Sequence, residues 1–599
     1  MRRPMLILLR LLLTSIALTV PALFCHAANT ADVDVIVIGS GIGGLATALE
    51  AGRGGARVLV IDMASVFGGH AVMAQGLLNI TGTPVQEAQG IKDSPELAER
   101  DFLAWGEDAN HEWVRYYTRH ARTELYDWLV GLGVEFEETL QQPPGNSVPR
   151  GHRVHGRGVG LVTPIFRECL ATPTISFRWN VRLDRLLRSN GRLCGVAVTD
   201  LRTGATAELR APSVVLATGG FQSNLALVRQ VWRKDLPIPE RILAGSGINS
   251  MGSALPIAQH EGAVLERLDH QWNYVSGVPD PRFPGTDRGL SISMPSIWLN
   301  RDGQRFVRER STPKDALPRL LQQPGGTYWA IFGPEALHRF YVSGSDWGDY
   351  QKIQQLIIGN PTVTLQAGSF AELSQKTGLP QRALQNSVVR FNAFVATGTD
   401  EDFGLFDARE SWKPAPISGP PYFAIQFYPL ARKSLGGVAV DTSCKALVPD
   451  GTVIPGLYAV GEVSGFGGIN GKNGLEGTFL GPALVMGRVA ARAILADLGR
   501  KPAEAPRDRA AVTLVSIKPK TPDDQQCLAC HDLPLRLNQS RPGYWHFENV
   551  HRVVLEQQFS CSSCHAEVNS SPALNEIAHR IDRRQQLRTC GVCHRGESP

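Results

Sequence analysis

The regular part of the chain opens on Val33-Asp34-Val35-Ile36-Val37-Ile38, a short run with one polar interruption that ends at a glycine. Runs of this length, rich in Val and Ile, read as strands buried on both faces, as parallel sheets require. After Gly39-Ser40-Gly41-Ile42-Gly43-Gly44 a helix starts at Leu45 to Glu50, and Arg57-Val58-Leu59-Val60-Ile61 is a second buried strand ending at Asp62. A third apolar run, Val214-Val215-Leu216-Ala217-Thr218-Gly219-Gly220, also closes on glycines, and Gly456-Leu457-Tyr458-Ala459-Val460-Gly461-Glu462 repeats the pattern far downstream. The glycine-rich Gly467 to Gly474 then leads to Gly481-Pro482, where an apolar periodic helix begins and runs to about Leu495. Proline suits the first turn of a helix. The N-terminus carries a different pattern: Arg2 and Arg3, then a mostly apolar stretch from Met5 to Phe24, then small residues around Ala27. That is the layout of a secretory signal cut near Ala27. A retained anchor is the alternative, which Arg10 and Pro21 disfavour, and no other stretch is long and apolar enough to span a bilayer.

The strand, GxGxxG turn, helix and strand ending in an acid form the dinucleotide-binding fingerprint in its required context. Gly39 makes the tight turn, Gly41 lets backbone amides approach a pyrophosphate, Gly44 permits close packing, and Asp62 is placed for ribose hydroxyls. Gly68-Gly69-His70 and Gln75-Gly76 directly after the acidic strand end favour FAD over NAD. The N-terminus of the Gly481 helix suits the negatively polarised edge of a flavin, or the helix simply packs on the sheet.

The tail adds a second chemistry. Cys527-Leu528-Ala529-Cys530-His531, Cys561-Ser562-Ser563-Cys564-His565 and Cys590-Gly591-Val592-Cys593-His594 are three CxxCH motifs. Each supplies two thiols for the vinyl carbons of a haem and a histidine for its iron. Beyond the motif histidines the tail has His546, His551 and His579, and from Thr521 onward it has no methionine. Six histidines fill six axial positions, so three bis-His, low-potential c-type haems are expected. A zinc reading of the CxxC pairs does not require a His after every second Cys. Haem attachment agrees with export, giving a periplasmic location. Cys169, Cys194 and Cys444 remain as small buried thiols.

Composition changes the picture little. With 599 residues, 43% apolar and 20% charged, the chain has room for two or three globular domains. The formal charge of +5 includes three arginines of the signal, so nucleic acid is not an expected partner and neither is stable membrane insertion.

On the glycine motifs quoted above, residues 31 to 497 resemble the flavoprotein family of fumarate reductase, succinate dehydrogenase and 3-ketosteroid dehydrogenases. The resemblance implies an α/β fold: a Rossmann-like FAD-binding domain at 30–264 and 431–497, interrupted by an α+β capping domain at 265–430. A linker at 498–524 and a small, mainly helical or loop triheme cytochrome c domain at 525–599 would follow. It further implies that Glu462 meets the ribityl chain, that Thr218 and Gly219 meet the nucleotide, and that substrate lies between cap and flavin. The segment Gly69 to Gly76 resembles that in which succinate dehydrogenases attach flavin to a histidine, so His70 is a covalent link, a noncovalent contact or a structural residue.

The pairing of flavin and haems resembles periplasmic flavocytochrome c fumarate reductases, with the haem part moved to the C-terminus. Substrate determinants differ. Where those reductases place a proton-donating arginine this chain has Pro313, and where they place a carboxylate-binding histidine it has Lys433. Cations are still needed for the charge that develops on the activating carbonyl, and Arg432, Lys433 and Lys472 are the candidates, or else solvated surface charges. Tyr274, in Trp272-Asn273-Tyr274, falls near the implied substrate site, or in the core. The expected function is reduction of an unsaturated carboxylate or enone with electrons from a periplasmic or membrane-anchored cytochrome. A ketosteroid-type dehydrogenase passing electrons outward, and a relay with no carbon substrate, are the alternatives.

Overall fold

The computed structural model describes residues 32–344, 347–406 and 414–502. The signal segment and all haem ligands expected from the sequence, Cys527, Cys530, His531, His546, His551, Cys561, Cys564, His565, His579, Cys590, Cys593 and His594, lie outside the described residues.

The first sheet has six strands in the order Lys445–Leu447, Val453–Ala459, Ser213–Leu216, Val35–Ile38, Val58–Asp62 and Ile175–Trp179. All neighbours are parallel except Lys445–Leu447 against Val453–Ala459. Val35–Ile38 is buried along its whole length, as its unbroken apolar run requires for a strand covered on both faces. The helix Ile42–Arg53 packs on this sheet and against the helix Leu480–Asp497. The second helix is buried over most of its surface, the exception being the side that carries Arg488 and Arg492, which pair with Glu50 and Glu124. It begins one residue before the expected Gly481 and ends two after Leu495. The third strand ends at Leu216; Ala217 N–H still donates to Ile38 O at 2.8 Å, and Thr218 to Gly220 have no regular secondary structure.

A second, mixed sheet follows the order Ile297–Leu299, Tyr328–Phe332, Tyr422–Ser434, Gln271–Pro279, Gly289–Ser293 and Tyr341–Val342. Helices Phe370–Thr377 and Gln381–Thr397 cover part of it over a separate small core that includes Leu373, Leu384 and Phe391. Its longest strand, the 13-residue Tyr422–Ser434, runs without a break across the expected boundary at 430/431. That one strand therefore belongs to both of the segments expected to be separate domains. Among the described residues no helix is long and apolar enough to cross a membrane. Cys169 and Cys444 are buried thiols as expected, whereas Cys194, on the strand Arg192–Asp200, is only partly buried.

Candidate active site

The glycine turn after the first strand is shaped by contacts that admit no side chain. Gly39 has φ +107°, and a Cβ there would lie 2.4 Å from the Ala217 carbonyl oxygen. At Gly44 a Cβ would lie 2.0 Å from the Gly39 carbonyl oxygen, so the helix can leave the turn only with glycine at that place. Gly41 differs: a Cβ would meet only Ala217 O, at 4.0 Å, and would project into the cleft that Gly41 lines. Bare backbone faces open space there, the condition for close approach of a pyrophosphate.

Asp62 ends the second strand at the same cleft. Its Oδ2 accepts from the backbone N–H and the hydroxyl of Ser40, both at 2.7 Å, and Oδ1 accepts from Ala64 N at 2.8 Å. Burial pushes its carboxyl up, against these bonds. The two oxygens keep further lone pairs for hydroxyl donors. Thr218 and Gly219, the latter at φ +76°, form the opposite lip. Gly69 and Gly76 both hold positive φ. A Cβ at Gly76 would lie 2.8 Å from the backbone of Arg157.

This cleft, about 1560 Å³ including its mouth, adjoins a second of about 1050 Å³, and Gly41, His70, Gly219, Arg432 and Glu462 line both. The second holds the start of the helix Leu480–Asp497, with Phe479, Leu480 and Ala483 on its wall. The N-termini of two helices therefore open on one continuous groove. Glu462, on the 3-10 turn Gly461–Val463, accepts from Ser434 N and Oγ, each at 3.0 Å. His70 is held well below the usual imidazole range by burial, then by the nearby cations Arg432, Lys433 and Arg288, so it is neutral.

FAD fits these residues. The groove is open-ended, glycine-cradled and served by two helix N-termini. Three of its lining residues, Gln75, Ser246 and Arg432, carry buried polar atoms with no partner among the described residues: Gln75 Nε2, Ser246 Oγ and Arg432 Nε. Buried polar atoms are rarely left unpaired in a folded chain, so a polar ligand is the expected partner.

Arg432 and Lys433, the penultimate residues of Tyr422–Ser434, both reach the second cleft. Arg432 donates to the Gly245 carbonyl oxygen and stands 5.5 Å from the centre of the Tyr274 ring. Lys433 Nζ lies 3.4 Å from Tyr274 Oη, 3.9 Å from Glu476 Oε2 and 3.8 Å from the centre of the Phe479 ring. Tyr274 O–H donates to Glu476 Oε1 at 2.6 Å, and Trp272 Nε1–H donates to the same oxygen at 3.0 Å. Burial lowers the Lys433 ammonium to about 8, with Glu476 opposing and Arg432 reinforcing the shift. Burial alone would raise the Glu476 carboxyl, but Lys433, Tyr274, Trp272 and Arg432 together bring it below the usual range. Burial, then Glu476, pushes the Tyr274 phenol well up, so it stays protonated.

Of the sequence candidates, Tyr274, Arg432, Lys433, His70 and Glu462 converge on this groove. Lys472 does not. It lines neither cleft; its backbone N–H donates to Gly106 O at 3.0 Å, and its charge acts on Glu107, Asp235 and His270. The glycine run that made it a candidate turns at Gly471 (φ +58°). Pro313 starts the helix Pro313–Leu321 and lines neither cleft. Two groove residues escaped the sequence reading. Glu476 is 202 positions from Tyr274, and nothing local marks it except its place in the Asn473–Gly481 run. Arg288 donates to Ser223 Oγ and Ser246 O from the cap side, with burial lowering its guanidinium to about 10.

The sequence profile of a family described as FAD binding domain matches residues 34–480. A fumarate reductase (cytochrome) of Shewanella frigidimarina is 30% identical over 468 residues, spanning 76% of each chain. A KsdD-like steroid dehydrogenase of Mycobacterium tuberculosis is 29% identical over 548 residues, spanning 78% of this chain and 96% of the relative. The open conformation of a flavocytochrome c3 fumarate reductase superposes with a TM-score of 0.63 at 27% identity, covering 78% of both chains.

Proposed function

This chain belongs to the FAD binding domain family, and from that premise we propose a flavocytochrome that reduces a carbonyl- or carboxylate-activated C=C bond with single electrons relayed through three c-type haems. Its activity at the coarser level is that of an FAD-dependent oxidoreductase acting on CH–CH bonds, of the fumarate reductase, steroid dehydrogenase and urocanate reductase kind. FAD, when bound, supplies hydride exchange with carbon and converts between two-electron and one-electron chemistry.

The chain's own residues supply the rest. The Gly39–Gly44 turn, Asp62, Thr218, Gly219 and Glu462 hold the cofactor. Adding hydride to one alkene carbon moves charge to the activating oxygen, and donors fixed before reaction stabilise that charge without reorganising. Arg432, with its planar fork of donors, serves as the clamp, and Lys433 provides a mobile proton. The observation that carries the reading is the delivery of this cationic pair, by one strand, into the groove that the glycine cradle opens.

Fumarate itself fits poorly, because Pro313 and Lys433 stand where the resemblance calls for Arg and His. Lys433 is also already paired with Glu476, which leaves less positive charge for a dicarboxylate. A steroid-dehydrogenase direction, with electrons leaving through the haems, is the second reading. The match to 96% of a KsdD-like steroid dehydrogenase favours it. Secretion to the periplasm and a small electron-transfer cytochrome as partner belong to the same proposal, resting on the N-terminal pattern and the CxxCH motifs.

The test is anaerobic. The holoprotein is reduced with a viologen, and unsaturated carboxylates and enones are screened for bleaching of the haem α-band. Bleaching supports the reductase. Flavin reduction by saturated ketones with no added donor supports the dehydrogenase, and silence against both panels rejects a carbon substrate.

A further inference from the structure

Lys433, Glu476 and Tyr274 form a closed group on the wall of the second cleft, and they come from three separate parts of the chain. The strand Tyr422–Ser434 brings Lys433, the strand Gln271–Pro279 brings Tyr274, and the loop before Leu480–Asp497 brings Glu476. Tyr274 O–H and Trp272 N–H both donate to Glu476 Oε1, which fixes the carboxylate, and its Oε2 faces Lys433 Nζ at 3.9 Å. That separation is longer than a hydrogen bond. The ammonium is thus held near its counter-ion but not locked to it, and its protons remain available to the groove. The other charged or titratable groups facing it are Arg432 on its own strand, Glu462 and His70, the last of these neutral.

We propose that Lys433 is a redox-linked proton carrier, poised by Glu476, which takes up a proton when electrons enter the bound FAD and passes it to the substrate carbon. The inference rests on the oxidoreductase reading of this groove and adds the source of the second hydrogen. Negative charge added beside an ammonium favours its protonated form. Two electrons from a one-electron donor with one proton reduce the FAD, and a second proton binds Lys433. In the reaction the alkene π bond breaks, hydride from reduced FAD forms one C–H bond, and the Lys433 Nζ–H bond breaks as the second C–H bond forms. FAD is left oxidised and Lys433 neutral, so each turnover consumes two electrons and two protons and returns the site to its starting state. Glu476 is a positioning residue in this scheme. Tyr274, whose proton is committed to Glu476, orients that carboxylate.

The test needs no substrate. Full-chain holoprotein is reduced anaerobically at a series of pH values from 6 to 10 in weak buffer with an indicator dye, and protons taken up per FAD are counted. Haem reduction contributes equally to wild type and variants, so the difference between them isolates Lys433. Wild type should take up close to one proton more at pH 9 than Lys433→Met, and no more than the variant at pH 6. Glu476→Gln removes the neighbouring negative charge, so the extra proton should appear at lower pH; Tyr274→Phe should keep it. FAD content and thermal melting check that the variants are folded and loaded. If Lys433→Met loses FAD, the shift in Glu476→Gln decides the matter. Identical proton counts at every pH in wild type and loaded Lys433→Met would overturn the proposal, as would an unmoved profile in Glu476→Gln. Either failure leaves the alkene reductase reading standing, because α-band bleaching by an alkene tests that separately.

Discussion

At the level of single residues, Lys433 and Gly44 carry the sharpest consequences. Replacing Lys433 by Met should lower turnover with any accepted alkene about 10²–10⁴-fold, the range of a lost general acid, while FAD stays bound. In wild type, reduction should persist through about pH 8, the value to which burial brings the ammonium before electrons enter, and decline only above about pH 9, because charge on the reduced FAD keeps Lys433 protonated. Rate against pH with viologen as donor checks both statements. Gly44→Ala should abolish FAD binding or folding, since the new Cβ falls 2.0 Å from the Gly39 carbonyl oxygen. Flavin absorbance of the purified variant reads this directly. The roles of Gly39, Gly41 and Gly44 were legible in the sequence because turn, cofactor approach and packing are local demands on adjacent positions. Glu476 was not legible, because its meaning comes from Trp272 and Tyr274, more than 200 positions away. Lys472 misled for the same reason: proximity to glycine motifs along the chain says nothing of which way a side chain leaves a turn.

Among elements, the contact between helices Ile42–Arg53 and Leu480–Asp497 ties the two ends of the FAD-binding domain together. A Cβ at Gly487 would lie 2.4 Å from the Gly43 carbonyl oxygen, so the helices touch backbone to backbone. Gly487→Ala should therefore cost about 1–3 kcal/mol, as overpacking does, despite its better helix propensity. Thermal unfolding of the variant would show a lowered midpoint, and an unchanged or raised one would mean that the helices can part freely. A second element-level anchor is Arg150, fully buried just before the strand Gly151–Arg153 and paired with Asp93 at 2.8 Å and with Asp101. Arg150→Met leaves those carboxylates uncompensated and should cost about 3–5 kcal/mol in denaturant melts. Strands Val35–Ile38, Val58–Asp62, Ser213–Leu216 and Val453–Ala459 and helices Ile42–Arg53 and Leu480–Asp497 were readable from their apolar runs to within a few residues, whereas the edge strand Ile175–Trp179 and the helices between residues 84 and 171 were not. The cap sheet was not, because its strand order depends on pairings over long separations, such as Tyr328–Phe332 with Tyr422–Ser434. No periodicity in either segment encodes the partner.

For the molecule as a whole, the proposed function couples the groove of the described residues to the haems expected from the three CxxCH motifs. Pyridine haemochrome and flavin analysis of protein matured with haem-attachment machinery should give three haems per FAD, and loss of Cys561 and Cys564 should reduce that to two. The coupling of the two chemistries is the central claim, and rapid mixing tests it most directly. The oxidised holoprotein is given two electron equivalents per FAD from a reduced viologen, and haem and flavin absorbances are followed together. Transfer between the red and yellow centres within a turnover time, with both reoxidised when an accepted alkene is added, is the predicted result. Centres that hold their electrons separately for longer than a turnover, with FAD and haems both fully loaded, would contradict the account.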